Sequence, residues 1–201
     1  AYGVELKDVF ISCEAMDIKT QEQRTFVKDD CNFGYRNSIF KEELKDQYII
    51  TSVIFELSTL HHKLKKNYGT IENELKNIGI DNPTIQDISK AVISIRNSKL
   101  PNPKVIGNSG SFFKNPIISI ERFKVLKNKF PKIPHYKFTE SSVKVPAGWL
   151  IEVAGFKGKR IGNYGVHDKQ ALVLVNYGNA SGKDILELSK KIQEAILIIF
   201  D

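Results

Sequence analysis

The sequence predicts a mixed fold, α+β or α/β, because strand-like runs and helical stripes alternate along one chain. Two observations carry this. Ile49, Thr51, Val53, Phe55 and Leu57 alternate along a β-rich run, whereas Ile85, Ile88, Val92 and Ile95 recur at helical spacing, as do Ile185, Leu188, Ile192 and Ala195. Each helical stripe also follows a capping pair, Thr84 with Asp87 and Ser181 with Asp184.

The elements follow in order. Val9–Ala15 reads as a strand, Lys19–Glu22 as a polar turn, and Arg24–Val27 as the returning hairpin partner. Asp29-Asp30 reads as a helix-capping pair, followed by the irregular segment Phe33–Ser38. The run Gln47–Leu57 is apolar on one face and partly so on the other, so it is expected to be a central strand. The Asn82-Pro83 turn precedes the helix opened by Thr84, and Pro101-Asn102-Pro103 follows it as the expected domain boundary. Beyond Gly107–Pro116 come a short strand at Ile117-Ile118, a helix from Ser119 ending before Pro131, and a short helix over Ala147–Ala154. A buried strand over Ala171–Val175 and the helix capped by Ser181 complete the pattern. There is no internal repeat and no low-complexity tract.

The chain has 201 residues, enough for one large domain or two small ones, with an ordinary 41% hydrophobic and 26% charged content. No run reaches the length of a membrane-spanning helix. The chain starts at Ala1 without Met or a signal-like segment and stops at Asp201, straight after Ile198-Ile199-Phe200. Both ends read as cuts through folded structure, and the sequence as a fragment. Cys13 and Cys31 could pair but form no metal or redox motif; Cys13, in an apolar run, is expected as a buried thiol, which fits a reducing cytoplasm. The formal net charge of +7 suits nucleic acid, a membrane surface or phosphorylated small molecules. The lysines are spread rather than blocked, which fits a solvated basic surface equally well.

Gly107-Asn108-Ser109-Gly110-Ser111-Phe112-Phe113-Lys114-Asn115-Pro116 is the most informative segment. Two glycines let backbone approach a ligand, two serines offer hydroxyls, Lys114 offers a charge and Asn115 an amide. Phe112 and Phe113 are expected to anchor the loop and exclude water. A polar turn leading into an edge strand explains the composition as well, and the residues alone do not choose between Ser109 and Ser111. The spacing is not that of a nucleotide-hydrolase phosphate loop.

In Phe33–Phe40, Arg36 lies between Tyr35 and Asn37-Ser38, as suits the holding of a planar anion; a surface arginine paired with Asp29 or Asp30 is the alternative. Tyr68 alone reads as a surface tyrosine, and Lys99 as a helix-end cation complementing the dipole. His167 could be a base but shows no partner in sequence, and His61 and His62 are expected to face solvent. No His/Cys/Asp/Glu cluster has metal spacing, and neither a nucleophile elbow nor a dinucleotide fingerprint occurs.

Five segments in order carry a resemblance. They are Ala1-Tyr2-Gly3-Val4-Glu5, Phe33–Phe40, Lys99-Leu100-Pro101 with Gly107–Pro116, Ala147–Ile151 with Lys157-Gly158, and Val166-His167 with Asn176–Ala180. Together, over essentially the whole chain, they resemble the UDP-N-acetylenolpyruvoylglucosamine reductase family. The resemblance implies an oxidoreductase of peptidoglycan synthesis in which NADPH reduces FAD and the flavin then reduces an enolpyruvyl sugar. It implies that Ser111 protonates the intermediate and Arg36 stabilises it. It implies that Tyr68, Lys99, Asn115 and Gln170 hold the UDP-sugar with Tyr35 nearby, and that Ala1, Tyr2, Gly3 and Val4 contact the flavin, with Arg96 also within reach. The Tyr68 loop suggests the subclass in which a tyrosine closes over the substrate.

Residues 1–100 would then be the later part of a two-layer FAD-binding domain, and 101–201 a small α/β substrate-binding domain. A cytoplasmic enzyme, monomeric at full length, with no nucleic-acid, membrane or metal partner is implied. The sequence departs from the family in three ways. The main FAD-binding half is missing before Ala1, a catalytic glutamate is missing beyond the last helix, and Asn163-Tyr164-Gly165 replaces a more Gly/Ala-rich stretch. The 201 residues alone are therefore expected to be inactive. The rivals are a non-catalytic basic module binding phosphorylated ligands or RNA, which salt-dependent RNA binding would favour, and another flavoprotein oxidoreductase.

Overall fold

Alternation in the first apolar run produces a strand. β1 (Phe10–Asp17) buries Phe10, Cys13 and Ala15, while Ile11 and Met16 face outward. β2 (Gln23–Val27) returns antiparallel as the expected hairpin, with Cys13 opposite Phe26. β3 (Tyr48–Phe55) pairs with the other side of β1, giving the order β2-β1-β3. The computed structural model describes residues 2–201 and divides the chain into two units, one ending at Ile95 and one spanning Arg96–Asp201.

Two expectations fail in the first unit. β3 is an edge strand, not a central one: β1 has two partners, and Ile49, Ile50, Val53, Ile54 and Phe55 stay exposed. Apolarity on two faces shows what a strand could bury, but pairing decides which strand is central. Asp29-Asp30 caps no helix; the Asp30 Oδ2 accepts from the Val27 N–H at 3.0 Å and closes a turn. Cys31, at the end of that turn, joins Phe10, Cys13, Ala15 and Phe26 in the core. The two thiols are free, and burial, with Cys13 adjoining, pushes Cys31 up to about 11. Both therefore stay protonated and unreactive at neutral pH.

Two helices complete this unit. α1 (Ile71–Asn77) was not expected, being too short to show a stripe; it buries Ile71 and Leu75 against Ala91 and Ile95 of α2 (Ile85–Lys99). α2 opens on the expected pair: the Thr84 N–H donates to Asp87 Oδ2 at 2.9 Å and the Asp87 N–H to Thr84 Oγ1 at 3.3 Å. The Thr84 N–H and hydroxyl hold the Asp87 carboxyl below its usual range. The foreseen stripe is shifted, since Ile85 is exposed and Ala91 takes the buried position. α2 runs across the division between the units, which falls after Ile95 rather than at the proline pair.

The second unit holds β4 (Gly107–Ser111), β5 (Ile117–Ser119), α3 (Ile120–Lys129), β6 (Tyr136–Lys137), β7 (Ser142–Lys144) and α4 (Ala147–Val153). β8 (Arg160–Ile161), β9 (Tyr164–Val166), β10 (Val173–Asn176) and α5 (Gly182–Phe200) follow. β6, β7, β8 and β9, at two or three residues each, are too short to carry period two and were not foreseen.

Four strands form one sheet in the order β4-β10-β9-β8 and three form another, β5-β7-β6. Every ladder is antiparallel. The chain is therefore α+β, the first of the two expected classes, because parallel crossovers are what α/β requires.

Local chemistry sets the boundaries here. Ser119 caps α3, its Oγ accepting from the Arg122 N–H at 3.1 Å. Ser181 and Asp184 cap α5 reciprocally, at 3.2 and 2.7 Å. α5 lays its buried Leu188 and Ile192 in one core cluster with Val166 and Leu174 of the four-stranded sheet. Each such side chain contributes roughly 1.5–3 kcal/mol by burial. A second cluster joins Phe123 and Leu126 of α3, Val143 of β7, Leu150 of α4 and Phe200 of α5. Ser111 lies on β4 of the four-stranded sheet, and Asn115 and Gln170 lie in the loops leading to β5 and β10.

Candidate active site

The first candidate element is the turn around Arg36. Gly34 and Asn37 form a bridge with both backbone hydrogen bonds made, at 3.0 and 3.2 Å. Tyr35 and Arg36 are therefore the apex of a two-residue hairpin. Arg36 sits at φ +54, left-handed space that non-glycine residues rarely adopt. Such conformations persist only where the surroundings over-determine them, and they cluster at functional sites. Phe33 packs edge-on to Phe10 and Phe40 edge-on to Phe26, both at 5.0 Å, so aromatic anchors fix the segment on either side of the apex. The Arg36 side chain is exposed, and among the described residues the ion pairs do not include it, so pairing with Asp29 or Asp30 is not what holds it.

The second element gathers Tyr2, Gly3 and Tyr68. Tyr2 and Tyr68 lie edge-on with centroids 6.1 Å apart, and the Gly3 carbonyl accepts from Lys65 Nζ at 2.8 Å. A Cβ at Gly3 would lie 3.4 Å from Tyr68 Cβ and 3.6 Å from Lys65 Cδ, and its φ is +81, so glycine alone fits there without strain. This close backbone, with a cation beside it, suits contact with a planar, phosphate-bearing cofactor. Ala1 lies outside the described residues. Val4 follows directly, and Arg96 is an exposed residue of α2.

The third element is β4. Sequence composition suggested a loop or a turn before an edge strand; the segment is itself an edge strand with a bulge. Ser111 faces Val173 and Asn108 faces Val175, so three steps on β4 match two on β10. Gly110 takes the left-handed conformation at φ +62, and its N–H is held by Asn108 Oδ1 at 3.1 Å. Strand pairs share a face, so the extra residue puts Asn108 and Ser111 on the same side of the sheet. Without it Ser111 would turn to the other face. Phe112 is 40% exposed and does not seal the segment as expected; Phe113 is partly buried in the α5 core and lies 5.3 Å from Phe112.

The remaining substrate candidates in this unit meet at α4. Asn115 Oδ1 accepts from the Ala147 N–H at 2.9 Å. Gln170 Oε1 accepts from the Leu172 N–H at 3.4 Å and lies 3.6 Å from where a Cβ at Gly148 would be. A backbone N–H only donates, so each amide must present its oxygen inward and its NH₂ elsewhere. Lys99, in the last turn of α2, is exposed. A cavity of about 440 Å³ lies behind Phe113, Lys114 and Pro116, walled by apolar residues of α3, α4 and α5; neither Ser111 nor Asn115 lines it.

Two features escaped sequence reading. His167 does have a partner, Asp168 Oδ1 at 2.9 Å from Nδ1, and the adjacent carboxylate was visible in the sequence. Lys41 Nζ reaches back to the Arg36 carbonyl at 3.2 Å, for which no local signal exists. His61 and His62 are exposed as expected. Among the described residues no His/Cys/Asp/Glu group could hold a metal, and no helix is long and apolar enough to cross a membrane.

Residues 101–201 match the family model described as UDP-N-acetylenolpyruvoylglucosamine reductase, C-terminal domain. The chain belongs to this family. A UDP-N-acetylenolpyruvoylglucosamine reductase of Flavobacterium johnsoniae is 58% identical over 200 residues, covering 100% of this chain and 59% of that protein. The reductase of Neisseria meningitidis serogroup A is 46% identical over 201 residues, covering 100% of this chain and 58% of its own length. The chain thus spans under two thirds of these family members. The crystal structure of the reductase from Thermus caldophilus shares the fold, with a TM-score of 0.55 and 22% identity over 94% of this chain and 50% of that one.

Proposed function

We propose that this chain is part of an NADPH-dependent flavoenzyme that reduces UDP-N-acetylenolpyruvoylglucosamine to UDP-N-acetylmuramate in the cytoplasm, as a monomer at full length. The observation that carries the reading is the bulged β4, where a left-handed glycine sets the face of Ser111. It stands within a chain that is 58% identical to a reductase so named.

A bound FAD, reduced by NADPH, supplies the hydride; Tyr2, Gly3 and Val4 would hold it, with Arg96. In this reading the first 100 residues are the later part of the FAD domain and the rest binds substrate. Hydride addition to an enol ether conjugated to a carboxylate leaves negative charge on an enolate. A fixed guanidinium lowers that barrier most where the charge develops, and Arg36 has this role. The enolate carbon then takes a proton. Serine is a weak acid, so Ser111 acts by placement more than by acidity. Asn115 and Gln170 direct NH₂ donors toward an acceptor-rich ligand such as a diphosphate or a pyrimidine carbonyl, Lys99 adds charge, and Tyr35 and Tyr68 flank the sugar nucleotide.

The full-length protein should be yellow and should oxidise NADPH when the enolpyruvyl sugar nucleotide is added. The 201 residues alone, spanning only 59% of the Flavobacterium reductase, should do neither. A colourless full-length protein with no such turnover would remove the assignment.

A further inference from the structure

We infer that Lys41 is a positioning residue for Arg36, holding it through the Arg36 carbonyl, with Glu42 bracing the other side of the same peptide. The inference rests on the proposed role of Arg36 and adds the means by which its conformation is kept. Arg36 occupies left-handed space at φ +54, a conformation an arginine leaves readily unless something opposes it. Two backbone bonds between Gly34 and Asn37 close the hairpin and hold the N–H of the Arg36–Asn37 peptide, but neither engages the Arg36 carbonyl oxygen.

The apex is held from outside. Lys41 Nζ donates to the Arg36 carbonyl oxygen at 3.2 Å, and Asn37 Nδ2 donates to Glu42 Oε1 at 2.7 Å. The peptide joining Arg36 to Asn37 is thus gripped at its oxygen and through the next side chain. Both bonds involve a charged group and are stronger than neutral ones.

The grip has a fixed root. Lys41 ends a single 3₁₀ turn, Ile39–Lys41. The Ile39 N–H donates to the Cys31 carbonyl at 2.9 Å, and Phe40 packs edge-on to the buried Phe26 at 5.0 Å. Core packing therefore passes through Phe40 to the neighbouring Lys41 and Glu42, and from them to the strained peptide. The Lys41 ammonium at the apex also adds positive potential where an anion would be held. A displacement of about 1 Å in a positioning group is enough to slow chemistry by up to 10²-fold.

The experiment is a double-mutant cycle in the full-length protein, read by stopped-flow reoxidation of the NADPH-reduced flavin with the enolpyruvyl sugar nucleotide. Lys41→Met keeps the stem and loses the donor; Lys41→Arg keeps a donor. Lys41→Met should slow reoxidation roughly 10-fold, while the rate of flavin reduction by NADPH and the melting temperature stay as in the parent. Lys41→Arg should recover most of the rate. In an Arg36→Ala background Lys41→Met should have no further effect, because the coupling passes through Arg36. An unchanged rate in Lys41→Met, or the same slowing with Arg36 absent, overturns the inference. If Arg36→Ala itself leaves reoxidation untouched, the proposed role of Arg36 fails instead, and the premise goes with it.

Discussion

Arg36→Gly is expected to abolish most turnover while leaving the fold about as stable as before. The two effects separate because the residue is strained. A non-glycine residue at φ +54 gives up about 1 kcal/mol relative to glycine there. Glycine recovers that, but it loosens the unfolded chain by a similar amount, so the net change should lie within about 1 kcal/mol. The side chain is exposed and forms none of the described ion pairs, so its loss opens no cavity. On the role proposed for Arg36, removing its charge should lower kcat by about 10³. Arg36→Lys should fall between, since an ammonium keeps the charge but not the planar fork. Urea denaturation and steady-state kinetics on the same preparations check both halves. Near-normal kcat in Arg36→Gly would show that the guanidinium has no part in the chemistry.

Gly165→Ala is expected to destabilise the second unit by about 3 kcal/mol or more, among the largest effects of any single methyl group in the chain. Its Cβ would lie 2.4 Å from the Lys159 carbonyl oxygen and 3.0 Å from Arg160 Cα. Both are backbone atoms around the facing strand, so no side chain can swing aside. β8 is the edge of the sheet, so relief requires its backbone to move away from β9. Splaying the β8–β9 hairpin would also disturb Arg160, whose guanidinium stacks 4.2 Å above the Tyr177 ring, and the Tyr177 N–H bond to Asn163 at 2.7 Å. Gly162→Ala is the control. It has a positive φ of +56 but open space, and should cost only about 1 kcal/mol of backbone strain. Equal melting temperatures for the two variants would contradict this packing.

Legibility tracked the range of the interaction. Both reciprocal caps, Thr84 with Asp87 and Ser181 with Asp184, lie within three residues, and both were readable. The hairpin of β1 and β2 was readable for the same reason. β3 was misplaced because centrality depends on partners elsewhere in the chain. Ser111 was named by the family resemblance, but its facing was not, since the bulge exists only in the register between β4 and β10, whose paired residues lie 62 to 69 positions apart in sequence. Gly110 was the one local hint. The left-handed Arg36 gave none, because glycine or asparagine is what normally signals such a turn. Asn115 appeared as an amide of unknown facing; only the Ala147 N–H fixed which end points inward.

The proton-donor claim is tested most directly by the rate at which the enolpyruvyl sugar nucleotide reoxidises the NADPH-reduced flavin in full-length Ser111→Ala and Ser109→Ala. Ser111→Ala should reoxidise slower by on the order of 10² or more with flavin reduction unchanged, and Ser109→Ala should stay within a few-fold of the parent. A normal rate in Ser111→Ala, or the large loss appearing in Ser109→Ala instead, would contradict it.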